Sequence, residues 1–427
     1  MTTTTPSAKA TFSSYQVFII TVLALLQFTV VLDFMVLSPL GVILLDKLHI
    51  NTSQFGLVVS AYAFSAGASG LLAAGFADKF DRKKLLLFFY VGFIIGTLLC
   101  GIAPTYTFLL IARVVTGLFG GVISSVSFAI ITDLFKMEVR GRVMGFVQMS
   151  FAVSQVLGIP VGLVLANHFG WHAPFWMLTV FGTLLGIAIA VYMQPVNAHL
   201  NNRMDVNPFF HLIKTLSQSR YLLAFSATTL LATGGFMLMP FASAFTTHNL
   251  GIGLDLLPWI YGITGVFSMV FGPLTGKLSD KIGKYKVFAM GSMLTFITIA
   301  IYTNLGITPF IAVIGINIFM FLGVSSRMVA ASALITAIPA PQDRGAFMSI
   351  NSSVQQISGG IGSAVAGLLV TQTASGALLH YNRLGMVAMG ATLITIAFMY
   401  FVNRMIQAKP MQQPATAPAI VEVPAEV

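Results

Sequence analysis

The sequence predicts an all-α integral membrane protein whose twelve transmembrane helices form two similar six-helix bundles. Of its 427 residues, 57% are hydrophobic and only 8% are charged, which leaves too little polar surface to cover a water-soluble globule. Apolar stretches of about 20 residues, long enough to cross the hydrocarbon core of a bilayer as a helix, recur along the chain. A charged loop of the first half also returns in the second half.

The predicted spans are separated by polar breaks or by breaks that contain glycine and proline. The polar segment 1–15 comes first, and the apolar stretch after it is too long for a signal peptide, so we expect an uncleaved first span. The longest polar interruption, 195–220, divides six spans from six. The spans are predicted at 16–45, 53–77, 84–103, 107–134, 141–167 and 172–194, and then at 221–247, 256–278, 286–304, 308–338, 345–372 and 384–406.

Polar segments connect and flank the two predicted bundles, 16–194 and 221–406. From Pro208 onward the linker fits either a short amphipathic helix on the membrane surface or an ordinary solvated connection. The tail 407–427 is rich in proline and alanine and has no helical period, so we expect it to be disordered and cytoplasmic.

The basic residues orient the spans. If the N-terminus is cytoplasmic, eighteen of the 22 Lys and Arg residues fall in cytoplasmic segments, two in outer loops and two within spans. Positive charge collects on the cytoplasmic side of membrane proteins, so we expect both termini inside. This distribution explains the net charge of +10 without nucleic-acid binding. We expect a monomer that crosses the cytoplasmic (inner) membrane of the cell many times and is surrounded by lipid.

The repeat is clearest in a charged loop that occurs once in each half. Asp78 and Asp280 lie 202 residues apart; each is followed by a lysine and a basic cluster, and each falls between the second and third spans of its half. Arg140 and Arg344, both followed by glycine, keep nearly the same offset. Internal repeats of this length indicate two similar bundles, with a substrate site near the midplane between them.

Both loops resemble the Gly-x-Leu-Ala-Asp-Arg-x-Gly-Arg-Lys signature of the major facilitator superfamily. The similarity extends over about residues 15–406 and implies the major facilitator fold and a transporter that works by alternating access. Ala74 and Asp81 stand where the first copy would have glycine. The matching positions are Asp78, Lys79, Arg82 and Lys83 in the first loop and Gly276, Leu278, Asp280, Lys281, Gly283 and Lys284 in the second.

In this family such loops act as gates that stabilise the outward-facing state. The resemblance implies that Asp78 engages the start of span eleven and that Arg82 pairs with Asp133 at the end of span four. Opposite charges at helix ends suit such a latch, because they can bridge spans that separate when the cavity opens inward. Lys83 and Lys84 also have a simpler interpretation as topology anchors.

Asp33 is the only acidic residue deep within a predicted span. A charge at mid-bilayer costs about 2.5 kcal/mol or more, so Asp33 is a candidate proton carrier that responds to the exposure of the cavity. Arg113 lies in span four at a comparable depth and can pair with it. The alternative is a static ion pair that only satisfies both charges. Arg113 with Gly117 and Gly121 also resembles the fourth-span signature that the family links with proton handling.

Arg327, in span ten, has no counterpart in the first half, where the corresponding position is Ser125. Three interpretations remain open for it. Arg327 can bind an anionic substrate group, balance Asp33 from the opposite bundle, or extend toward the membrane surface or cap a carbonyl group.

Span five contains Gly158, Pro160 and Gly162, which allow a helix to bend and to approach a neighbour closely. This segment resembles the fifth-span antiporter signature of exporters, although one residue here separates a glycine and a proline that are adjacent there. Residues 169–176 resemble the junction before span six in drug:proton antiporters and arabinose-exporter-like proteins, with His172 in place of arginine. Together these features favour efflux over uptake.

Further polar, aromatic and flexible side chains are candidates for the walls of a substrate cavity, although each also fits ordinary packing. The 21 Met and 36 Phe residues suit an adaptable apolar pocket. The candidates are Tyr62, Gln148, Gln155, Phe236, Met237, Trp259, Tyr261, Asn317, Asn351, Gln355 and Gln356.

The sequence contains no phosphate-binding loop and no His or Cys cluster with metal spacing, so we expect no cofactor and no metal, and a proton gradient as the energy source. We find no nucleophilic side chain placed beside a general base at membrane depth, and this disfavours an intramembrane enzyme. The gated two-bundle repeat argues against a passive channel. The sequence therefore predicts proton-coupled export of a drug-like or small metabolite substrate, with proton symport of a sugar, amino acid or organic anion as the alternative.

Overall fold

The computed structural model describes residues 12–73, 75–197, 200, 208–340 and 343–407, and this part of the chain is almost entirely helical. Most of the predicted N-terminal segment, part of the linker and nearly all of the expected disordered tail lie outside the described residues. The helices are α1 Ser14–Val36, α2 Gly41–Lys47, α3 Thr52–Ala73, α4 Arg82–Gly101, α5 Tyr106–Leu134, α6 Met137–Val153, α7 Ile159–Phe169, α8 Ala173–Tyr192, α9 Pro208–Leu216, α10 Ser219–Phe236, α11 Ala242–Ala244, α12 Leu257–Ile282, α13 Lys284–Tyr302, α14 Phe310–Ile335, α15 Arg344–Leu369 and α16 Tyr381–Gln407.

These helices follow the predicted spans to within a few residues at most ends. The first span breaks after Val36 and continues as α2. A π-turn, Ser154–Gly158, joins α6 to α7, and a second π-turn, Phe245–Asn249, follows α11. A short hairpin of β1, Thr371–Gln372, and β2, Leu378–Leu379, precedes α16. Helix α9 lies in the part of the linker that fitted either a short amphipathic helix or a solvated connection, and it packs on α15.

Within the described residues, eleven helical segments are long and apolar enough to cross a membrane. The segments α6–α7 and α10–α11 each count as one. Helix α15 has 26 residues but is rich in Gly, Ser and Gln, which lowers its hydropathy. Small residues let α15 approach α3: a Cβ added to Gly56 would lie 2.8 Å from the Ser363 carbonyl oxygen. The composition of α15 therefore serves close backbone packing.

The helices form an N-half, α1 to α8, and a C-half, α10 to α16. The halves meet where α3 packs on α15 and where α12 packs on α7 and on the first π-turn. Several side-chain hydrogen bonds also join the halves, toward the end of the bundle remote from the Asp78 loop. In these bonds Thr52 Oγ1 donates to Val370 O, Ser60 Oγ to Gly360 O, Asn167 Nδ2 to Leu254 O and Ser243 Oγ to Ser38 O.

Candidate functional site

A buried ion pair lies inside the N-half. Arg113 Nη1 on α5 lies 2.7 Å from Asp33 Oδ2 on α1, and the two side chains are 1% and 0% exposed. The same nitrogen also donates to the main-chain oxygen of Asp33 at 3.4 Å. The structure thus brings together the two charges that their depth in the sequence predicted to meet.

Polar and aromatic neighbours surround this ion pair, although Arg113 Nε has no hydrogen-bond partner in the described part of the chain. Thr97 on α4 donates its hydroxyl to Asp33 Oδ1 at 3.2 Å, so both carboxylate oxygens are bonded. The guanidinium carbon of Arg113 lies 4.6 Å from the centre of the Tyr62 ring on α3, a distance at which a cation and an aromatic face attract. Satisfied lone pairs are what make a buried ion pair tolerable, because both ions have lost their water.

Thr97, Cys100 and Phe34 are members of this centre that the sequence did not indicate. Cys100 is fully buried and its sulfur lies 3.7 Å from Thr116 Oγ1. The only available signal was that Thr97 and Cys100 share one face of α4, three residues apart. An uncharged residue in an apolar helix has no large desolvation cost, so nothing in the sequence distinguishes it from a residue that only fills the core.

Aromatic side chains extend from the ion pair toward the C-half. Phe34 lies one residue after Asp33, and its ring centre is 5.3 Å from that of Tyr62. Phe34 also makes an edge contact with Phe236 on α10, at 5.9 Å between ring centres. A Cβ added to Gly359 on α15 would meet the Phe236 ring at 3.0 Å. Two predicted cavity residues, Tyr62 and Phe236, therefore belong to one aromatic path between the halves.

The glycines of α5 hold that helix against α3. A Cβ on Gly117 would lie 2.4 Å from the Tyr62 carbonyl oxygen, and one on Gly121 would lie 2.3 Å from the Ala66 carbonyl oxygen. Real Cβ atoms do not approach backbone oxygens so closely, so glycine is required at both positions. This close crossing places the Tyr62 ring over Arg113, one turn from Gly117.

The bend in span five lies beside Asp33. Gly158 and Gly162 pack against Leu32 and Val36 of α1, where an added Cβ would lie 2.7 Å and 2.9 Å from their side chains. The π-turn Ser154–Gly158 ends two residues before Pro160, a residue without an N–H for the helical ladder. A π-turn changes the hydrogen-bond register locally, which absorbs such an interruption. The predicted bend motif thus joins α1 to the α12 side of the molecule.

The first charged loop forms a compact ionic cluster. Arg82 is buried; its Nη2 lies 2.7 Å from Asp78 Oδ1 and its Nε 3.1 Å from Asp133 Oδ2. The Arg82–Asp133 pairing matches the expectation from the family. Asp78 bonds Arg82 within its own loop, and its side chain is 74% exposed. In the described part of the chain, Asp78 forms no hydrogen bond or ion pair with the first turn of α15.

The second charged loop is built differently. Asp280 and Lys281 are exposed, Lys284 is half-buried, and none of them forms an ion pair with a described residue. Gly283 adopts a φ of +100°, which lets α12 turn directly into α13. The first loop has Asp81 at the corresponding position, and its carboxylate instead caps α4 by accepting from Lys84 N at 3.0 Å. This explains why one copy departs from the glycine of the signature.

The remaining candidates are dispersed. Arg327 is 2% exposed, donates to Thr392 Oγ1 on α16 at 3.2 Å, and does not contact Asp33. Asn351 accepts from Thr228 at 2.6 Å. Trp259 is 64% exposed and lies away from the ion pair. Of the others, Gln148 is exposed, Met237 and Asn317 are buried, and Gln155, Tyr261, Gln355 and Gln356 are half-buried.

Two helical bundles, with a buried charge pair inside the first and charged loops at one end, fit an integral membrane transporter rather than an enzyme. The sequence model of the Major Facilitator Superfamily matches residues 23–231 and 224–421, and the chain belongs to this superfamily.

Similar proteins fall in the same family. The chain is 26% identical over 349 residues to the uncharacterized MFS-type transporter YceJ of Bacillus subtilis (strain 168), covering 81% of this chain and 88% of that protein. It is 22% identical over 358 residues to Multidrug resistance protein 2 of the same organism, covering 81% and 87%. The crystal structure of a D-xylose-proton symporter superposes with a TM-score of 0.73 at 18% identity, covering 90% and 97% of the chains. The last likeness shows the fold alone.

Proposed function

We propose that this transporter has twelve spans, with α15, the eleventh along the chain, as the span that completes the twelve, and that both termini lie in the cytoplasm. Helix α15 has the length of a span and is sheltered from lipid by α3, α9 and α10, so its low hydropathy is compatible with a position inside the bundle. The excess of Lys and Arg on one side supports the orientation. The protein then acts as a monomer in the cytoplasmic membrane and needs no bound cofactor.

We further propose that Asp33 carries the coupling proton. The single observation that supports this role is the fully buried Asp33–Arg113 pair, held by Thr97 and Tyr62 beside the bend of span five. When water from one side reaches the pair, Asp33 takes up a proton and its attraction to Arg113 weakens. When the proton leaves toward the other side, the ion pair re-forms. The proton thus changes how firmly α1 is held to α5.

The proposed reaction is export of a drug-like or small metabolite substrate in exchange for protons. A relative named as a multidrug resistance protein supports this direction, as does the π-turn of the α6–α7 segment between Asp33 and the C-half. Substrate contacts are assigned to residues near the aromatic path, chiefly Phe236 and Tyr62. Proton symport remains the second candidate, because the same buried carboxylate can serve either direction.

The charged loops are proposed to bias the two cavity orientations. Arg82 joins the Asp78 loop to the end of α5 through Asp133, so it stabilises one arrangement of the N-half at this end. In the other orientation Asp78 would leave Arg82 and reach the first turn of α15, since its side chain is largely exposed at the surface. Asp280 and Lys281 would act in the same way for the C-half.

Transport in proteoliposomes tests the proposal. Purified protein is reconstituted with a trapped pH-sensitive dye and an imposed pH gradient, acid inside, and ethidium, D-xylose and leucine are added in turn. Antiport predicts that the lumen becomes more alkaline as the transported compound enters. Symport predicts the opposite change. Asp33→Asn should abolish proton movement, whereas Lys84→Ala, at an exposed position of α4, should not change it.

Two results would contradict the coupling scheme. One is substrate flux that is indifferent to the pH gradient in both variants. The other is an Asp33→Asn protein that pumps at full rate against a substrate gradient. Chemical conversion of an added compound without its movement would contradict transport itself.

A further inference from the structure

The second intramembrane arginine, Arg327, is buried without a complete set of partners. Its Nη1 donates to Thr392 Oγ1, but Nε and Nη2 have no hydrogen-bond partner in the described part of the chain. A guanidinium group carries five N–H donors and stays charged, so it cannot lower its energy by losing a proton. A buried, uncompensated charge is among the costliest features of a membrane protein.

A second unpaired donor lies on the neighbouring helix. Ser292 on α13 is 0% exposed, and its hydroxyl has no partner among the described residues. It follows Gly291, where an added Cβ would lie 3.0 Å from the backbone nitrogen of Arg327, so α13 touches α14 at this level. Thr295 and Thr392 donate their hydroxyls to carbonyls of their own helices. On the described residues of α13, α14 and α16, the buried side-chain donors without a partner are therefore Arg327 Nε and Nη2 and Ser292 Oγ.

No acidic residue of the C-half can neutralise Arg327. Between residues 221 and 406 the chain contains only Asp255, Asp280 and Asp343. Asp255 precedes α12, and Asp280 lies in its last turn. Asp343 precedes α15 and accepts from the hydroxyl of Tyr221 at 2.8 Å. All three lie at or beyond the ends of their helices, whereas Arg327 lies more than two turns inside α14.

We propose that the junction of α13, α14 and α16 binds a small monovalent inorganic anion of the class of chloride, through Arg327 Nε, Nη2 and Ser292 Oγ. Such an anion supplies the missing negative charge and accepts the three unused hydrogen bonds. Arg327 turns toward Thr392 on α16, away from the N-half, and is almost fully enclosed, so a substrate-sized carboxylate fits this position poorly. The proposed anion is a fixed structural counter-ion, and its binding does not rest on the transport reaction proposed above.

Thermal unfolding of the purified full-length protein tests this site. Intrinsic tryptophan fluorescence is followed in sodium chloride, sodium acetate and sodium gluconate at constant ionic strength, and retention of radioactive chloride is measured in parallel. Because a ligand at concentration c that binds only the folded state stabilises it by RT ln(1 + c/Kd), Tm should rise with the logarithm of the chloride concentration once that concentration exceeds Kd, and should not rise in gluconate. Ser292→Ala should weaken the apparent chloride affinity about five- to tenfold, the effect of one lost hydrogen bond. Arg327→Leu should abolish the chloride response.

The matched control is Ser127→Ala, which removes an equally buried hydroxyl that already donates to Ile123 O, and it should retain the wild-type chloride response. If Arg327→Leu does not fold, Ser292→Ala decides the question. Equal Tm in chloride and gluconate at every concentration would overturn the proposal. Stabilisation by acetate but not by chloride would also overturn it, because the site would then prefer carboxylates. An unchanged chloride affinity in Ser292→Ala would place any bound anion elsewhere.

Discussion

Two arginines lie within the membrane-spanning part of the molecule, one in each half, and their surroundings differ. Arg113 meets a carboxylate at 2.7 Å and an aromatic face, and the carboxylate is itself bonded by Thr97. Arg327 donates to one threonine hydroxyl and forms no ion pair with a described acidic residue. The comparison shows that repeated architecture does not imply repeated chemistry. In the N-half a carboxylate lies beside the intramembrane arginine, whereas no described carboxylate lies beside the intramembrane arginine of the C-half.

The charged loops show the same difference at the molecular surface. Arg82 and Lys284 occupy corresponding positions, 202 residues apart. Arg82 is buried between two carboxylates, whereas Lys284 forms no ion pair with a described residue. Among the charged loops and the intramembrane arginines, the ion pairs therefore lie in the N-half, whereas the C-half has ion pairs from Asp343 to Arg220 and His211 before α15. If this contrast matters for stability, substitutions in the N-half should lower the free energy of unfolding more than matched substitutions in the C-half.

Removing Arg113 should have the largest effect. Arg113→Leu leaves Asp33 buried without its counter-ion, and breaking a buried ion pair in this way typically costs about 3–5 kcal/mol. The measurement is the free energy of unfolding in mixed micelles, by titration with dodecyl sulfate. The double variant Asp33→Asn/Arg113→Leu should recover part of the loss, because no buried charge remains. A double variant as unstable as the sum of both single variants would contradict a direct interaction.

A methyl group at the crossing of α3 and α5 should come next. Gly117→Ala places a carbon 2.4 Å from the Tyr62 carbonyl oxygen, so the helices must separate. Overpacking of this kind costs about 1–3 kcal/mol, and we expect the upper end because the obstacle is backbone. Gly315→Ala in α14 is the matched control: nothing lies within 4 Å of the added carbon. It should be neutral or stabilise the protein by about 0.5 kcal/mol. Equal losses in both variants would show that the crossing is not tight.

Loss of the Thr97 hydroxyl should affect the ion pair without breaking it. Thr97→Val removes the donor to Asp33 Oδ1, and hydrogen bonds to charged groups contribute about 1.5–3 kcal/mol. We expect a loss near the lower value and an altered pH dependence of transport, since the bonded form of Asp33 is its carboxylate. Thr395→Val provides the control, because that buried hydroxyl donates only to the carbonyl of Ala391. A pH profile that is unchanged in Thr97→Val would separate Thr97 from proton coupling.

The loop contrast predicts the smallest effect on stability. Arg82→Gln removes the ion pairs of Arg82 with Asp78 and Asp133. Asp78 is largely solvent-exposed, so the loss of unfolding free energy should be about 1 kcal/mol. Lys284→Gln should cost less than about 0.5 kcal/mol, because no pair is lost. The more sensitive readout is the separation of spin labels across the Asp78 end of the bundle, which should change its distribution in Arg82→Gln only. Indistinguishable distributions in the two variants would argue against a gate at Arg82.

Much of the fold was accessible from the sequence, because the bilayer imposes a strong length and polarity requirement on every span. The break after Val36 and the π-turn at Ser154–Gly158 were not, since both depend on packing between helices. Helix α15 shows the opposite case. Its predicted position was correct, although its own hydropathy is low, because the repeat and the flanking spans located it.

Within the site, charge was the informative signal. Asp33 and Arg113 stood out because isolated charges are rare inside spans, and the structure brings them together. Thr97 and Phe34 carry no such cost, so sequence gave no reason to prefer them over their neighbours. Trp259 illustrates the converse: its size suggested a cavity wall, but its ring lies at an exposed position on the first turn of α12. Size and polarity alone do not specify which side of a helix faces a cavity.

The lone thiol gives the wild-type protein a chemical reporter of its own. Cys100 is the only cysteine in the chain, and it lies next to Thr116 and one turn from Thr97, sealed from solvent in the arrangement described above. We expect a water-soluble maleimide to alkylate it only when solvent penetrates to the residues around the charge pair. The rate of alkylation, followed by mass spectrometry without any engineered residue, therefore measures how often the charge pair is wetted.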